Sequence, residues 1–362
     1  MSIQFDAKRW QETKATYGQW WAGQLGRPVI NSTICGYEAD RQEPKIRNEA
    51  FHSFYDQSVT AEQIVDRWDY DLSRSRFPGD AFPSVCPNFG PGVAAAFAGC
   101  DLVNGANTVW FHAREDLDSQ DIRLAPGADS YWYRRIRDIV KAAMDRWQGQ
   151  VQVGMTDLGG NLDIAASFRP GEKLLFDLYD NPAEVKRLAW ESHEVWWHYF
   201  EEINKTLRPK NPGYTAWTPI FSEDPYYMLQ CDFCYMIGPA MFDEFVKPEL
   251  AASCKRLKNA FYHLDGIGQL PHLDSLLDIP ELRGVQWIPG AGQPDITKWP
   301  EVYRKIHKAG KRIQFFTGQS PVGWNAIDVI ADQIGSAAGL CMIGWADRSK
   351  EDDVLQIIEK YR

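Results

Sequence analysis

Short apolar runs and amphipathic stretches alternate along this chain, most plainly between residues 259 and 292. The run Ala260-Phe261-Tyr262 stops at His263-Leu264-Asp265-Gly266. Leu270, Leu273, Leu276 and Leu277 then recur at helical spacing, and Val285-Gln286-Trp287-Ile288 ends at Pro289-Gly290. The pattern predicts strand, helix, strand. Parallel strands joined by a helix bring their carboxyl ends to one edge, where α/β folds bind ligands. His263 and Asp265 stand two apart on an extended segment, so both side chains face the same way.

The rest of the chain follows the same rhythm. Residues 1–68 read as helices with loops: Ala7 to Trp21 carries an aromatic stripe, and Thr60-Ala61-Glu62-Gln63 opens a helix with a capping residue. Tyr70 to Phe77 is the first strand expected, ending at Pro78-Gly79-Asp80. A long insertion rich in Gly, Ala and Pro follows, with an extra strand at 107–112 that carries Trp110. Ser130 to Trp147 is a helix, and Gln150 to Thr156 a strand closed by Asp157 and a glycine-rich turn. Asn181 and Pro182 open a long helix to about Leu207. Tyr214 to Thr218 and Met228 to Phe233 are short strands, and Pro239 to Leu257 and Trp299 to Lys308 are helices. Arg312 to Phe316 and Leu340 to Gly344 are the last strands. Principal strands near 72, 153, 216, 230, 262, 286, 314 and 342 make eight, the count of a single (β/α)8 TIM-type barrel. Residues 1–68 form an N-terminal helical segment packed on the barrel, which occupies 69–362. The gap between 216 and 230 is too short for a full helix, so the count is not clean.

Composition narrows the function classes. The 362 residues carry a net charge of −10, which argues against a nucleic-acid partner, since phosphate backbones reward clustered cations. No run approaches ~20 apolar residues and the first residues lack a signal-peptide core, so no membrane and a cytoplasmic location are expected. Seven cysteines lie scattered without a framework spacing, which fits reduced thiols. Cys231 and Cys234 form a CxxC with no second pair, so a zinc ribbon is not expected. Fifteen tryptophans are unusual for this length; most are expected in the core, and some to line a pocket for rings, sugars or quaternary ammonium groups.

Candidate chemistry gathers at strand ends. His193 and His198 resemble a zincin motif, but five residues put them about 140° apart on a helix. His263 and Asp265 stand at one strand end, and Cys341 at the expected end of the last strand. Together they suit a three-ligand zinc site with an open position. The alternative is a metal-free His263–Asp265 hydrogen bond, with Cys341 filling the core. Asp80, Asp157, Asp163 and Asp232 stand at other strand ends, and Asp163 is the one expected to cap a helix. His263, Asp265 and Asp232 are the catalytic candidates. Asp80, Asp157, Trp110, Gln286 and Trp287 are the candidates for contacting substrate.

The run from Cys231 to Pro248, CDFCYMIGPAMFDEFVKP, resembles the uroporphyrinogen decarboxylase superfamily, whose members carry an Asp followed by a Pro-x-x-Phe-x-x-Phe-x-x-Pro helix. A weaker resemblance extends from about Asp69 to the end. It implies a (β/α)8 barrel and either decarboxylation or zinc-dependent methyl exchange with a corrinoid protein. Decarboxylases use an Arg-rich N-terminal segment, and residues 20–40 offer nothing similar. The methyltransferase branch has His-x-Cys on one strand and a second Cys at a distance that Cys341 matches, 76 positions after Asp265. Asp265 takes the place of the first Cys, which leaves one sulfur and makes the metal more Lewis-acidic. The resemblance therefore implies a zinc-assisted transfer of methyl from a small O- or N-methyl compound to a corrinoid partner protein. The alternative is a metal-free lyase in which Asp232, Asp265 and His263 transfer protons.

Overall fold

The computed structural model describes residues 3–127 and 130–362. Its strands, in chain order, are β1 (Val29–Cys35), β2 (Ser84–Val85), β3 (Asp101–Asn104), β4 (Val109–His112), β5 (Gln152–Val153), β6 (Tyr226–Leu229), β7 (Asn259–Asp265), β8 (Leu282–Ile288), β9 (Arg312–Phe316) and β10 (Leu340–Asp347). Six of them form one sheet in the order β1-β10-β9-β8-β7-β6, every neighbouring pair parallel. β2 and β5 form a separate parallel pair, and β3 and β4 an antiparallel hairpin. The six-stranded sheet makes a half-barrel with helices outside it. Among the described residues the strands do not close into the eight-stranded ring expected from the sequence.

The side of the half-barrel left open is spanned by the β2–β5 pair and by chain without regular pairing. Met155 N donates to Thr215 O (2.9 Å), and Tyr214 makes only an isolated bridge with Ser222. The strand expected near 216 is therefore an irregular link. The strand expected at Tyr70–Phe77 is also absent: the helix that starts at Thr60 runs from Ala61 to Ser73. Its capping box fixes the start, and Ile64, Val65, Trp68 and Leu72 bury one face. β1 lies instead within the segment read as helical, so residues 1–68 supply an edge strand of the main sheet.

The floor of the half-barrel is aromatic. The helix Ala7–Ala22 starts at Asp6, whose side chain accepts from Arg9 N, and it buries Trp10, Tyr17, Trp20 and Trp21. Trp20 and Trp21 pack on Phe261 of β7, with ring centroids 6.0 and 5.6 Å away. Arg312, at the start of β9, donates to the carbonyls of Trp20 and Trp21 and so holds the last turn of this helix. Phe261 lies against Gly284 of β8; a Cβ there would meet its ring at 2.1 Å. The pairing of β7 with β8 shifts register at Ala260/Phe261, and His263 then stands opposite Gln286.

Asp80 belongs to this lower end, not to the ligand-binding edge where a substrate role was expected. Arg27 grips both its oxygens (2.7 and 2.8 Å), and Ile30 N, near the start of β1, donates to it at 3.0 Å. A buried carboxylate satisfied in this way ties the chain before β1 to the chain before β2. Asp80→Ala removes three hydrogen bonds to a charged group, two of them from a partly exposed arginine. Urea denaturation should show a loss of about 2 kcal/mol. A variant as stable as the parent would mean that the ion pair does not hold these segments together.

Candidate functional site

The ligand-binding edge is built by the carboxyl ends of β6, β7 and β8. His263 and Asp265 share the inward face of β7, as their spacing predicts. Gly266 follows at φ 82°, a conformation that favours glycine, and a Cβ there would also press on Tyr235 at 2.9 Å. The chain can therefore turn sharply at Asp265. Asp232 opens the 3-10 turn Asp232–Met236 just beyond β6. One ligand atom each from Asp232, His263 and Asp265 can be chosen so that all three lie within 4.8 Å of one another. His263 Nε2 is 3.6 Å from Asp265 Oδ2.

Two glutamines set the imidazole. Gln286 on β8 donates its amide N–H to Gln314 Oε1 on β9, so its own oxygen is left to accept from His263 Nδ1. That contact fixes the proton on Nδ1 and turns Nε2 toward the two carboxylates. Trp217 stands perpendicular to the imidazole, with ring centroids 5.1 Å apart. Burial disfavours a charge on His263, but Asp265, Asp232 and Gln286 outweigh it and hold its pKa above the ordinary value.

A second carboxyl pair backs this group. Asp163 accepts from the backbone N–H of Asp232 (3.0 Å) and Phe233 (2.7 Å), which anchors the turn that carries Asp232. It does not cap its own helix: that helix, Asn161–Phe168, starts at Gly160, and Asp163 lies in its first turn. Asp157 accepts from Gly159 N (2.9 Å) and from Gln230 Nε2 (3.3 Å). Burial, with Asp232 adding to it, pushes Asp157 up to about 7. Burial followed by Asp232 does the same to Asp163. Asp232 is itself raised, by burial and by Asp265 against the pull of His263. Two carboxyl groups, Asp232 and Asp265, thus face one imidazole, with Asp157 and Asp163 behind Asp232, a setting that welcomes a cation.

The other residues singled out in the sequence divide clearly. Trp110 is exposed on the β3–β4 hairpin and shares with Asp232 and Asp163 the wall of an open cavity of about 930 Å³. Gln286 is buried and its contacts are with His263 and Gln314, so it positions the imidazole where a substrate contact was expected. Trp287 points the other way. Successive residues of a strand face opposite sides, and Trp287 packs on Trp299 in the helical layer, with centroids 5.2 Å apart. Cys341 is the second residue of β10 and pairs with Val29 and Gln314, so it stands near the start of its strand and not at its end. Two strands separate it from His263, and it is not in the ligand cluster found among the described residues. Burial, with Asp80 adding to it, pushes the Cys341 thiol well above its ordinary value. Sequence reasoning missed Gln314 and Trp217; their only signal was a lone polar or aromatic residue in a short apolar run.

No family model matches this chain, and no curated protein does. Among solved structures it resembles a methyltransferase from Methanosarcina mazei, at 12% identity over 77% of this chain and 80% of that one, with a TM-score of 0.53. A looser overlap, with a TM-score of 0.36, is with a mandelate racemase/muconate lactonizing enzyme from Sulfitobacter sp, at 12% identity over 93% of this chain and 64% of that one. The first likeness shows a shared fold.

Asp157 offers a direct test of these electrostatics. Its pKa is raised in the folded protein, so between 3.8 and about 7 the unfolded carboxyl has lost its proton while the native one keeps it. The unfolded state then binds fewer protons, and this group's contribution to stability falls as pH rises through that window. Asp157→Asn keeps an oxygen for Gly159 N and Gln230 and cannot titrate. In metal-free protein, urea denaturation should show the variant gaining stability relative to the parent between pH 5 and pH 8. A difference equal at both pH values would place the Asp157 pKa near its ordinary range.

Proposed function

We propose that this protein is a methyltransferase that removes a methyl group from an oxygen or nitrogen of a small compound, assisted by zinc, and passes it to a corrinoid carried by a partner protein. The observation that carries this reading is the convergence of Asp232, His263 and Asp265 on one point at the carboxyl end of the sheet. Two carboxylate oxygens and one imidazole nitrogen fit zinc as a three-ligand site with an open position. The donor set is harder than one with two thiolates, which favours an oxygen or nitrogen leaving group over activation of a thiol. The likeness to a structure named as a methyltransferase supports the same reading.

Bound zinc would supply Lewis acidity that weakens the bond from the methyl carbon to its oxygen or nitrogen, and the corrinoid of the partner would supply the accepting nucleophile. The chain's own residues do the rest. Gln286 holds Nδ1 of His263 and leaves Nε2 for the metal. Asp163 holds the backbone that presents Asp232. Asp157, buried beside Asp232 and raised to about 7, is the candidate to protonate the departing group. The open cavity beside Asp232, with exposed Trp110 and Met236 in its wall, offers an apolar mouth for the partner. A metal-free lyase on the same residues draws on one specific observation, the two carboxyl groups Asp157 and Asp163 poised near neutrality.

Zinc titration separates the two. Protein loaded with zinc and dialysed should retain about one ion per chain. Asp232→Ala, His263→Ala and Asp265→Ala should each weaken binding at least about tenfold, with Cys341→Ala leaving it unchanged. Asp265→Cys, which adds a softer ligand, should bind zinc more tightly than the parent. No zinc uptake by the parent would favour proton-transfer chemistry. Loss of zinc in Cys341→Ala alone would remove the Asp232–His263–Asp265 site.

A further inference from the structure

The three candidate ligands come from two separate pieces of chain. Asp232 opens the 3-10 turn Asp232–Met236, and His263 and Asp265 lie on β7, which runs into a second 3-10 turn, Ile267–His272. In metal-free protein the carboxylates of Asp232 and Asp265 repel one another, so the two turns spread unless something holds them together. Asp163 holds the start of the Asp232 turn through the backbone N–H groups of Asp232 and Phe233. His272 holds its middle, with Nε2 donating to the carbonyl oxygen of Cys234 at 2.9 Å. Tyr235 reaches from this turn across to the other one.

The Tyr235 ring rests on bare backbone. A Cβ on Gly268 would meet its Cγ, Cδ2 and Cδ1 at 2.7, 2.7 and 2.8 Å, near-equal distances that put Gly268 under the face of the ring. Gly266 stands at the ring edge, where a Cβ would meet Cε2 at 2.9 Å. Gly266 has φ 82°, so conformation also favours glycine there. Gly268 has no such backbone, and it is the ring that excludes a side chain from it. The ring is nonetheless more than half exposed. An aromatic residue so placed adds little to the core, yet two glycines make room for it beside Asp265. We propose that Tyr235 is a positioning residue for the metal site. Its ring clasps the turn that carries Asp232 to the turn that follows Asp265, and so sets the spacing of ligands drawn from two elements. The clasp rests on packing alone, and its effect on zinc rests on the metal reading of Asp232, His263 and Asp265.

Zinc affinity, urea stability and amide hydrogen exchange of the whole protein test this. Tyr235→Ala should weaken zinc binding about tenfold and leave the urea midpoint close to the parent's, because the residue is exposed. Tyr235→Phe keeps the ring and should bind zinc as the parent does. Gly268→Ala displaces the ring and should weaken zinc binding by a similar factor. In the Tyr235→Ala background the same change should do nothing further, since the ring it would strike is gone. Losses that simply multiply in the double variant would overturn the clasp. Unchanged zinc affinity in Tyr235→Ala, or a loss that Tyr235→Phe shares, would overturn the positioning role while the metal site stands. In metal-free protein the amides of residues 233–236 should exchange faster in Tyr235→Ala and in Gly268→Ala than in the parent. If the parent takes up no zinc, the metal reading falls and this exchange comparison decides the clasp, which unchanged rates would overturn.

Discussion

A buried imidazole that leans toward its charged form needs balance on every side, and the interior of this half-barrel is arranged around that need. His263 stands on the inward face of β7, where apolar side chains would ordinarily fill the space. Its Nδ1 proton is accepted by Gln286, whose own amide is accepted by Gln314, so one hydrogen-bonded row crosses three neighbouring strands. The row exists because β7, β8 and β9 are parallel and in register at these residues. On the other side of the ring the carboxylates of Asp265 and Asp232 supply negative charge. Packing in the floor sets this register: Phe261 fits over Gly284 and brings His263 opposite Gln286. The polar upper layer thus depends on the aromatic lower one.

Much of this was legible in the sequence. The strand and turn at His263–Gly266 stood out because an apolar run ended in residues with no reason to be buried. The helix ending at Trp147 was marked by its apolar face and the long helix to Leu207 by Asn181 and Pro182 at its start, although the Asn181 side chain makes no capping hydrogen bond. β1 was not legible, because Asn31, Ser32 and Thr33 interrupt its apolar pattern. Asn31 is polar for a reason outside the strand: its amide donates to Tyr17 and to Pro219 O. Such a partner 188 residues away leaves no local trace.

The site residues divide along the same physical line. Asp232, His263 and Asp265 come together because two share a strand face and the third opens the turn after the neighbouring strand. Gln286 and Trp287 are adjacent, and a strand cannot turn both toward one pocket; alternation alone sends Trp287 to the helices. Cys341 looked terminal because Gly344 looked like the end of its strand. The strand in fact continues to Asp347, because Gly344 to Asp347 pair with Ser32 to Cys35 of β1, and Gly344 is where a Cβ would press on Thr317. The residue at the upper edge is then Trp345, and the cysteine drops toward the floor.

The pairing of β1 with β10 joins Val29 to Cys341, two residues at nearly opposite ends of the chain. On a ribosome, β1 emerges before β2 to β9 and waits for all of them to be made before its neighbour exists. Until then it presents an unpaired edge whose backbone groups are open to water or to other chains. A contact this distant in sequence also carries a high entropic cost of closure, so sealing β1 against β10 is a late event in folding. The helix Ala7–Ala22 shares that wait, because Arg312, which holds its last carbonyls, is nearly as late to appear. The half-barrel can therefore gain its floor and its first strand only after β9 and β10 have been made, and a chain truncated before β10 would leave β1 without its partner.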